Sequence, residues 1–137
     1  MRFFNTYSRE LEEFAPLDTN ARTVRMYTCG PTVYSRAHIG NFRAYIFEDV
    51  LQRHLELRGY TVRRVMNLTD VDDKTIRGAR QAKVPLRDFT GQFKQAFFED
   101  LATLRIKRAD QFPEATDQAY IDRMISMIAT LVEKGLA

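Results

Sequence analysis

The chain has 137 residues, 45% of them hydrophobic and 28% charged, a balance that suits a globular domain with a real core. No run approaches the roughly 20 apolar residues of a membrane helix, and the opening M-R-F-F-N-T-Y-S-R-E lacks the apolar stretch of a signal peptide. The formal charge of +3, from 21 Lys+Arg against 18 Asp+Glu, is too mild to mark a dedicated nucleic-acid binder, and one cysteine cannot form an internal disulfide, so a cytoplasmic setting is expected.

In chain order, residues 1–17 open with the apolar pair Phe3-Phe4, turn polar and reach Pro16, which predicts a small extended arm or hairpin. A polar connection over 17–23 follows. Residues 24–29 then read as a buried strand stopped by Gly30-Pro31. From 39 to 58 the pattern is helical: Phe47, Leu51 and Leu55 recur at i, i+4 and i+8, while Tyr45, Ile46 and Val50 widen the apolar arc. Gly59 ends that helix, and T-V-R-R-V-M-N-L over 61–68 is a second strand. Strand, helix, strand implies a parallel pair with a right-handed crossover.

Thr69 or Asp70 is the expected cap of the next helix, with Asp72 and Asp73 in its positive first turn and Pro85 after it. Phe89, Phe93, Phe97, Leu101 and Leu104 mark a third helix. Thr116 is expected to cap a last one, whose stripe of Ile121, Met124, Ile125, Ile128, Leu131 and Val132 reads as core, closed by Gly135. Parallel sheets normally have several strands and both faces covered. Three or more helices competing for two or three strands therefore read as the opening of a larger α/β domain: an arm over 1–23, a βαβ unit over 24–68 and a helical part over 69–137.

Open α/β sheets bind ligands beyond the carboxyl ends of their strands, where residues 29–41 lie. Gly30 and Gly40 remove side chains where backbone must approach something closely, and a helix starting near 38–40 offers N–H groups and a positive dipole end to phosphate. His38 and Asn41 can add hydrogen bonds. Neither G-x-x-x-x-G-K-[ST] nor G-x-G-x-x-G is present. Taken alone, H-I-G-N also fits a helix start with a surface histidine, and Cys29 also fits a small buried hydrophobe.

The stretch C-G-P-T-V-Y-S-R-A-H-I-G-N-F-R resembles the signature of cysteinyl-tRNA synthetases, and M-Y-T-C-G, E-D-V-L, L-R-G-Y, N-L-T-D-V-D-D-K and R-A-D-Q-F-P-E-A-T resemble that family's segments in the same order. The resemblance implies the first half of a class I, Rossmann-like nucleotide-binding domain, a parallel sheet flanked by helices. It implies activation of cysteine by ATP with Mg2+ to the adenylate and transfer to tRNA(Cys). Cys29 matches the family's first zinc ligand, in a site where the metal binds the substrate thiolate. A soft thiolate is a strong zinc ligand and a hydroxyl a poor one, so cysteine would be told from serine at the metal. His38, Gly40 and Asn41 match the residues that hold ATP phosphates, with His38 and Asn41 acting during adenylate formation. Gly30, Thr32 and Tyr34 fall beside the amino-acid pocket by position, and Thr69 and Asp70 border it. Asp72, Asp73 and Lys74 fit either a substrate role or a capped helix start with an internal ion pair.

A K-M-S-K-S-like loop and the family's other zinc ligands do not occur in these residues, so the sequence reads as an amino-terminal fragment, expected to be monomeric, away from membranes and inactive alone. Two alternatives share the pattern. One is the related ligase that joins cysteine to an amino sugar in mycothiol synthesis; the other is a non-catalytic binding module built on the same front half.

Overall fold

A computed structural model of the chain describes residues 1–17 and 22–137; the polar connection expected over 17–23 falls largely outside them. The arm is a hairpin. Strands β1 (Arg2–Asn5) and β2 (Glu10–Glu13) pair antiparallel, Phe3 opposite Glu12 and Phe4 opposite Leu11. Edge-to-face contacts of Phe14 with Phe3 and with Tyr60, at 5.4 and 5.7 Å, fasten it to a small core of Val24, Leu55 and Val62.

The centre is a βαβ unit. Strands β3 (Thr23–Thr28) and β4 (Thr61–Met66) pair in parallel from Thr23 opposite Thr61 to Thr28 opposite Met66, and helix α1 (Ile39–Leu57) joins them. Gly59, at φ +82°, makes the left-handed turn that brings the chain back into β4. Both strands end before their expected limits, because β3 is cut off at Thr28 and the chain past Met66 changes partner. Residues 111–114 run parallel along the outer side of β4, with bridges Val65–Gln111 and Leu68–Glu114. Met66 N–H donates to the Gln111 carbonyl at 3.1 Å and Leu68 N–H to the Pro113 carbonyl at 2.9 Å. Pro113 has no N–H to return, so this third line of backbone stays rudimentary.

Helices α2 (Asp73–Ala82) and α3 (Leu86–Thr103) pack closely where Gly78 meets the Phe89 ring; a β-carbon on Gly78 would overlap that ring. The main core joins Phe42 and Tyr45 of α1, Met66 and Leu68, Phe97 and Leu101 of α3, then Ile106 and Ala109.

Four expectations change. The cap of α2 is Asp72, whose carboxylate accepts from Lys74 N–H at 2.8 Å, rather than Thr69 or Asp70. The cap of helix α4 (Gln118–Glu133) is Asp117 rather than Thr116, because the Thr116 hydroxyl donates to Asp70 instead. Phe47 of α1 is exposed, and the buried stripe is Phe42, Tyr45, Asp49, Gln52 and Leu55. Asp49 can be buried because it accepts from Lys107 N–H at 2.8 Å and from Arg53 at 2.7 Å. The apolar stripe of α4 is no core: no residue of this helix is buried, and Ile125 is 60% exposed. No helix among the described residues is long and apolar enough to cross a membrane.

Candidate active site

The site starts where the parallel pair ends. Beyond Thr28, the exposed Cys29 leads into Gly30, whose N–H donates to Asn67 Oδ1 at 3.1 Å. A β-carbon on Gly30 would strike the Asn67 carbonyl, so this glycine answers to the neighbouring strand end. Asn67 was not singled out by sequence, yet it organises the corner. Its Oδ1 also accepts from the Tyr27 hydroxyl at 3.0 Å, and its amide donates to Thr69 Oγ1 at 3.0 Å. Thr32 then bridges to Thr69, and Val33 N–H reaches the Thr69 carbonyl at 3.1 Å, burying Val33.

Helix α1 begins with a reciprocal cap. Gly40 N–H donates to His38 Nδ1 at 3.0 Å, and His38 N–H donates to Asn41 Oδ1 at 3.1 Å. With Nδ1 accepting, the neutral imidazole carries its proton on Nε2. With Oδ1 accepting, Asn41 keeps its amide N–H groups as donors. The glycine is required here because a β-carbon on Gly40 would lie 2.8 and 2.9 Å from His38 Cε1 and Nδ1. The free backbone N–H groups expected at this helix start are largely engaged: Gly40's by the imidazole, and those of Asn41 and Phe42 by the His38 carbonyl. Donors toward a ligand come from the side chains, backed by the helix dipole.

Thr32, Tyr34, His38 and Asn41 line one cleft of about 250 Å³, together with Pro31, Ser35, Arg36, Ala37 and Lys74. Sequence reading left Lys74 undecided and passed over Arg36. Nothing in the lining is acidic, and it carries two cations, Arg36 and Lys74, so the local potential is positive. Gly40 sits beside it in the first turn. Cys29 and Gly30 stand at the strand tip outside this lining, and Thr69 is half-buried against Thr32.

Asp70 lies apart. It is 2% exposed and accepts from Ala115 N–H at 2.9 Å and from the Thr116 hydroxyl, which ties the start of the α4 segment to the end of β4. It lines a separate cavity of about 490 Å³ with Arg87, Lys94 and Glu114. No group of three or more His, Cys, Asp and Glu able to hold a metal occurs among the described residues, and Cys29 is a single donor.

Behind the strand tip, Glu48 and Arg64 form a buried polar layer between α1 and β4. Burial pushes the Glu48 carboxyl above its ordinary range, against the pull of the Thr28 hydroxyl and Arg64. Burial also pulls the Arg64 guanidinium down, with Glu48, Asp49, Asp110 and Glu56 opposing. The Tyr45 phenol is pushed up to about 12, first by burial and then by the charges of Glu48 and Cys29.

Residues 15–137 match the family of tRNA synthetases class I (C) catalytic domains. A cysteine–tRNA ligase of Chlamydia pneumoniae is 55% identical over 135 residues, which make up 98% of this chain and 27% of that protein. One from Protochlamydia amoebophila is 52% identical over 137 residues, 100% of this chain and 28% of that protein. The chain thus spans little more than a quarter of the length of these relatives. Among solved structures, methionyl-tRNA synthetase of Mycobacterium tuberculosis with methionyl-adenylate superposes with a TM-score of 0.65 at 24% identity, covering 71% of this chain and 19% of that one. The LeuRS–tRNA–LeuAMS ternary complex of Agrobacterium radiobacter K84 gives 0.70 at 22% identity, covering 81% of this chain and 14% of that one. At such identities these two likenesses speak for the fold. The expected parallel sheet flanked by helices is present, and with the family match running from residue 15 to residue 137, this chain belongs to the class I (C) tRNA synthetase catalytic-domain family.

Proposed function

We propose that the protein carrying these residues is a cysteine–tRNA ligase, and that the cleft under the His38–Asn41 cap holds the phosphates of ATP. The observation that carries this reading is the cleft itself. It opens at the carboxyl end of a parallel pair, presents donors from His38 and Asn41, and is free of carboxylates in its lining. The naming of relatives at 52% and 55% identity as cysteine–tRNA ligases supports the choice of amino acid.

In the reaction proposed, a carboxylate oxygen of cysteine forms a bond to the α-phosphorus of ATP, supplied with Mg2+, while the bond from that phosphorus to the bridging oxygen breaks. Pyrophosphate leaves with the electron pair. A ribose hydroxyl of the tRNA terminus then attacks the carbonyl carbon and displaces AMP. Charge builds on the phosphate oxygens in the first step. His38 Nε2–H and the Asn41 amide are the donors placed to meet it, already oriented by the cap. Thr32, Tyr34, Gly30 and Thr69 form the corner next to Cys29 where the amino acid would lie. Asp70 acts there through the loops it holds.

Zinc would give such a protein a direct bond to the substrate sulfur. The residues described supply one of the four donors a tetrahedral site needs, the Cys29 thiolate, so they do not by themselves fit the metal and no step is derived through it. The protein is proposed to work in the cytoplasm.

The test is cysteine-dependent exchange of pyrophosphate into ATP by the protein that carries this sequence, with serine as the competing amino acid. Exchange with cysteine at least 100-fold above serine is expected. Background exchange with both would overturn the reading. The 137 residues alone are expected to bind ATP without turnover.

A further inference from the structure

One cation of the cleft has no task in that reaction. Lys74 belongs to the first turn of α2, not to α1, and its backbone N–H is held by the Asp72 carboxylate at 2.8 Å. The run D-D-K at a helix start suggests an internal ion pair, yet Lys74 makes none among the described residues. Its ammonium stands over the Tyr34 ring instead, 4.8 Å from the centroid. An aromatic face orients a cation without neutralising it. The other full cation in the lining, Arg36, leans toward Asp100 at 3.7 Å. Lys74 is therefore the cleft's uncompensated charge.

The two walls also differ in chemistry. The α1 wall offers neutral donors, His38 Nε2–H and the Asn41 amide, fixed by their mutual cap. The α2 wall offers one mobile-stemmed ammonium whose resting direction is set by Tyr34. We propose that Lys74 is a positioning residue for the nucleotide, pairing from the first turn of α2 with the ATP phosphates in the cleft that His38 and Asn41 also line. This rests on the reading that the cleft takes ATP. It adds that charge selection, nucleotide triphosphate over nucleoside, comes from α2 and the Tyr34 ring. Neutral donors accept a sugar hydroxyl or a phosphate alike, whereas an unpaired ammonium distinguishes them by charge and loses that advantage as salt screens it.

The test is binding of ATP and of adenosine to the protein that carries these residues, read by titration calorimetry at low and at 0.5 M salt. Wild type is expected to prefer ATP. Lys74→Met, which keeps the length of the stem, should weaken ATP about 10-fold, leave adenosine within 2-fold and abolish most of the salt dependence. Lys74→Arg should hold ATP within 3-fold of wild type. Unchanged ATP affinity in Lys74→Met, with wild type binding normally, overturns the role of Lys74 and leaves the cleft's function standing. Equal losses of ATP and adenosine overturn it too, since the lysine would then act through the fold. Wild type binding neither ligand overturns both the inference and the reading beneath it.

Discussion

A ring and a glycine decide much of this site between them. His38 Nδ1 receives Gly40 N–H at 3.0 Å, and the space where a Gly40 side chain would sit is taken by the same imidazole. Gly40→Ala should therefore swing the ring away, break the cap and weaken ATP binding by about 10-fold. It should also cost about 1 kcal/mol of stability, as lost caps do; titration calorimetry and urea unfolding would read the two effects. Glu48 poses a different question at the same scale. Burial holds its carboxyl above the ordinary value, so the folded state keeps a proton that the unfolded state has released. Stability contributed this way is present below the unfolded pKa, near 4.3, and is lost as pH rises through the raised folded value. Urea midpoints should fall across that window, and Glu48→Gln should flatten the decline. A midpoint curve of the same slope in both proteins would contradict the assignment.

At the level of elements, carboxylates do the fastening. Asp49 on α1 holds the backbone at Lys107, and Asp70 past β4 holds Ala115 and Thr116, so two segments distant in sequence are bound to the parallel pair. Asp70→Ala would take the buried charged acceptor away from the Ala115 N–H and the Thr116 hydroxyl, both on exposed residues, at a cost of about 1.5 to 3 kcal/mol. Asp70→Asn, which still offers an acceptor to Ala115, should lose less; equal losses in urea unfolding would argue against the hydrogen bonds as the cause. These two residues also explain which elements could be read beforehand. The strands and helices were legible because apolar periodicity and Gly59 mark them locally. The face of α1 was not, since its buried side includes Asp49, which accepts from the Lys107 N–H far along the chain, and Gln52, a polar residue that bonds Glu56 one turn on. Thr69, Asp70 and Thr116 all have the chemistry of caps. Longer-range bonds claim Asp70 and Thr116, and Asp72 and Asp117 do the capping.

Over the whole molecule, the family's order of segments was readable from its motifs, and so was the meeting of His38, Asn41, Thr32 and Tyr34, because a βαβ unit brings a strand end and a helix start together. The rudimentary third line at 111–114 was not readable, since its pairing with β4 is decided by contacts across the fold and interrupted by Pro113. Lys74 was visible as a residue and opaque as a role, because its aromatic partner is 40 positions away. The reciprocal bonds of His38 and Asn41 have one further consequence. Side chains that must be frozen on binding each exact about 0.5 to 1.5 kcal/mol, and here both rotors are already stilled before any visitor arrives. Capture should then proceed as a single encounter without a slow adjustment afterwards, and its speed should follow the viscosity of the medium.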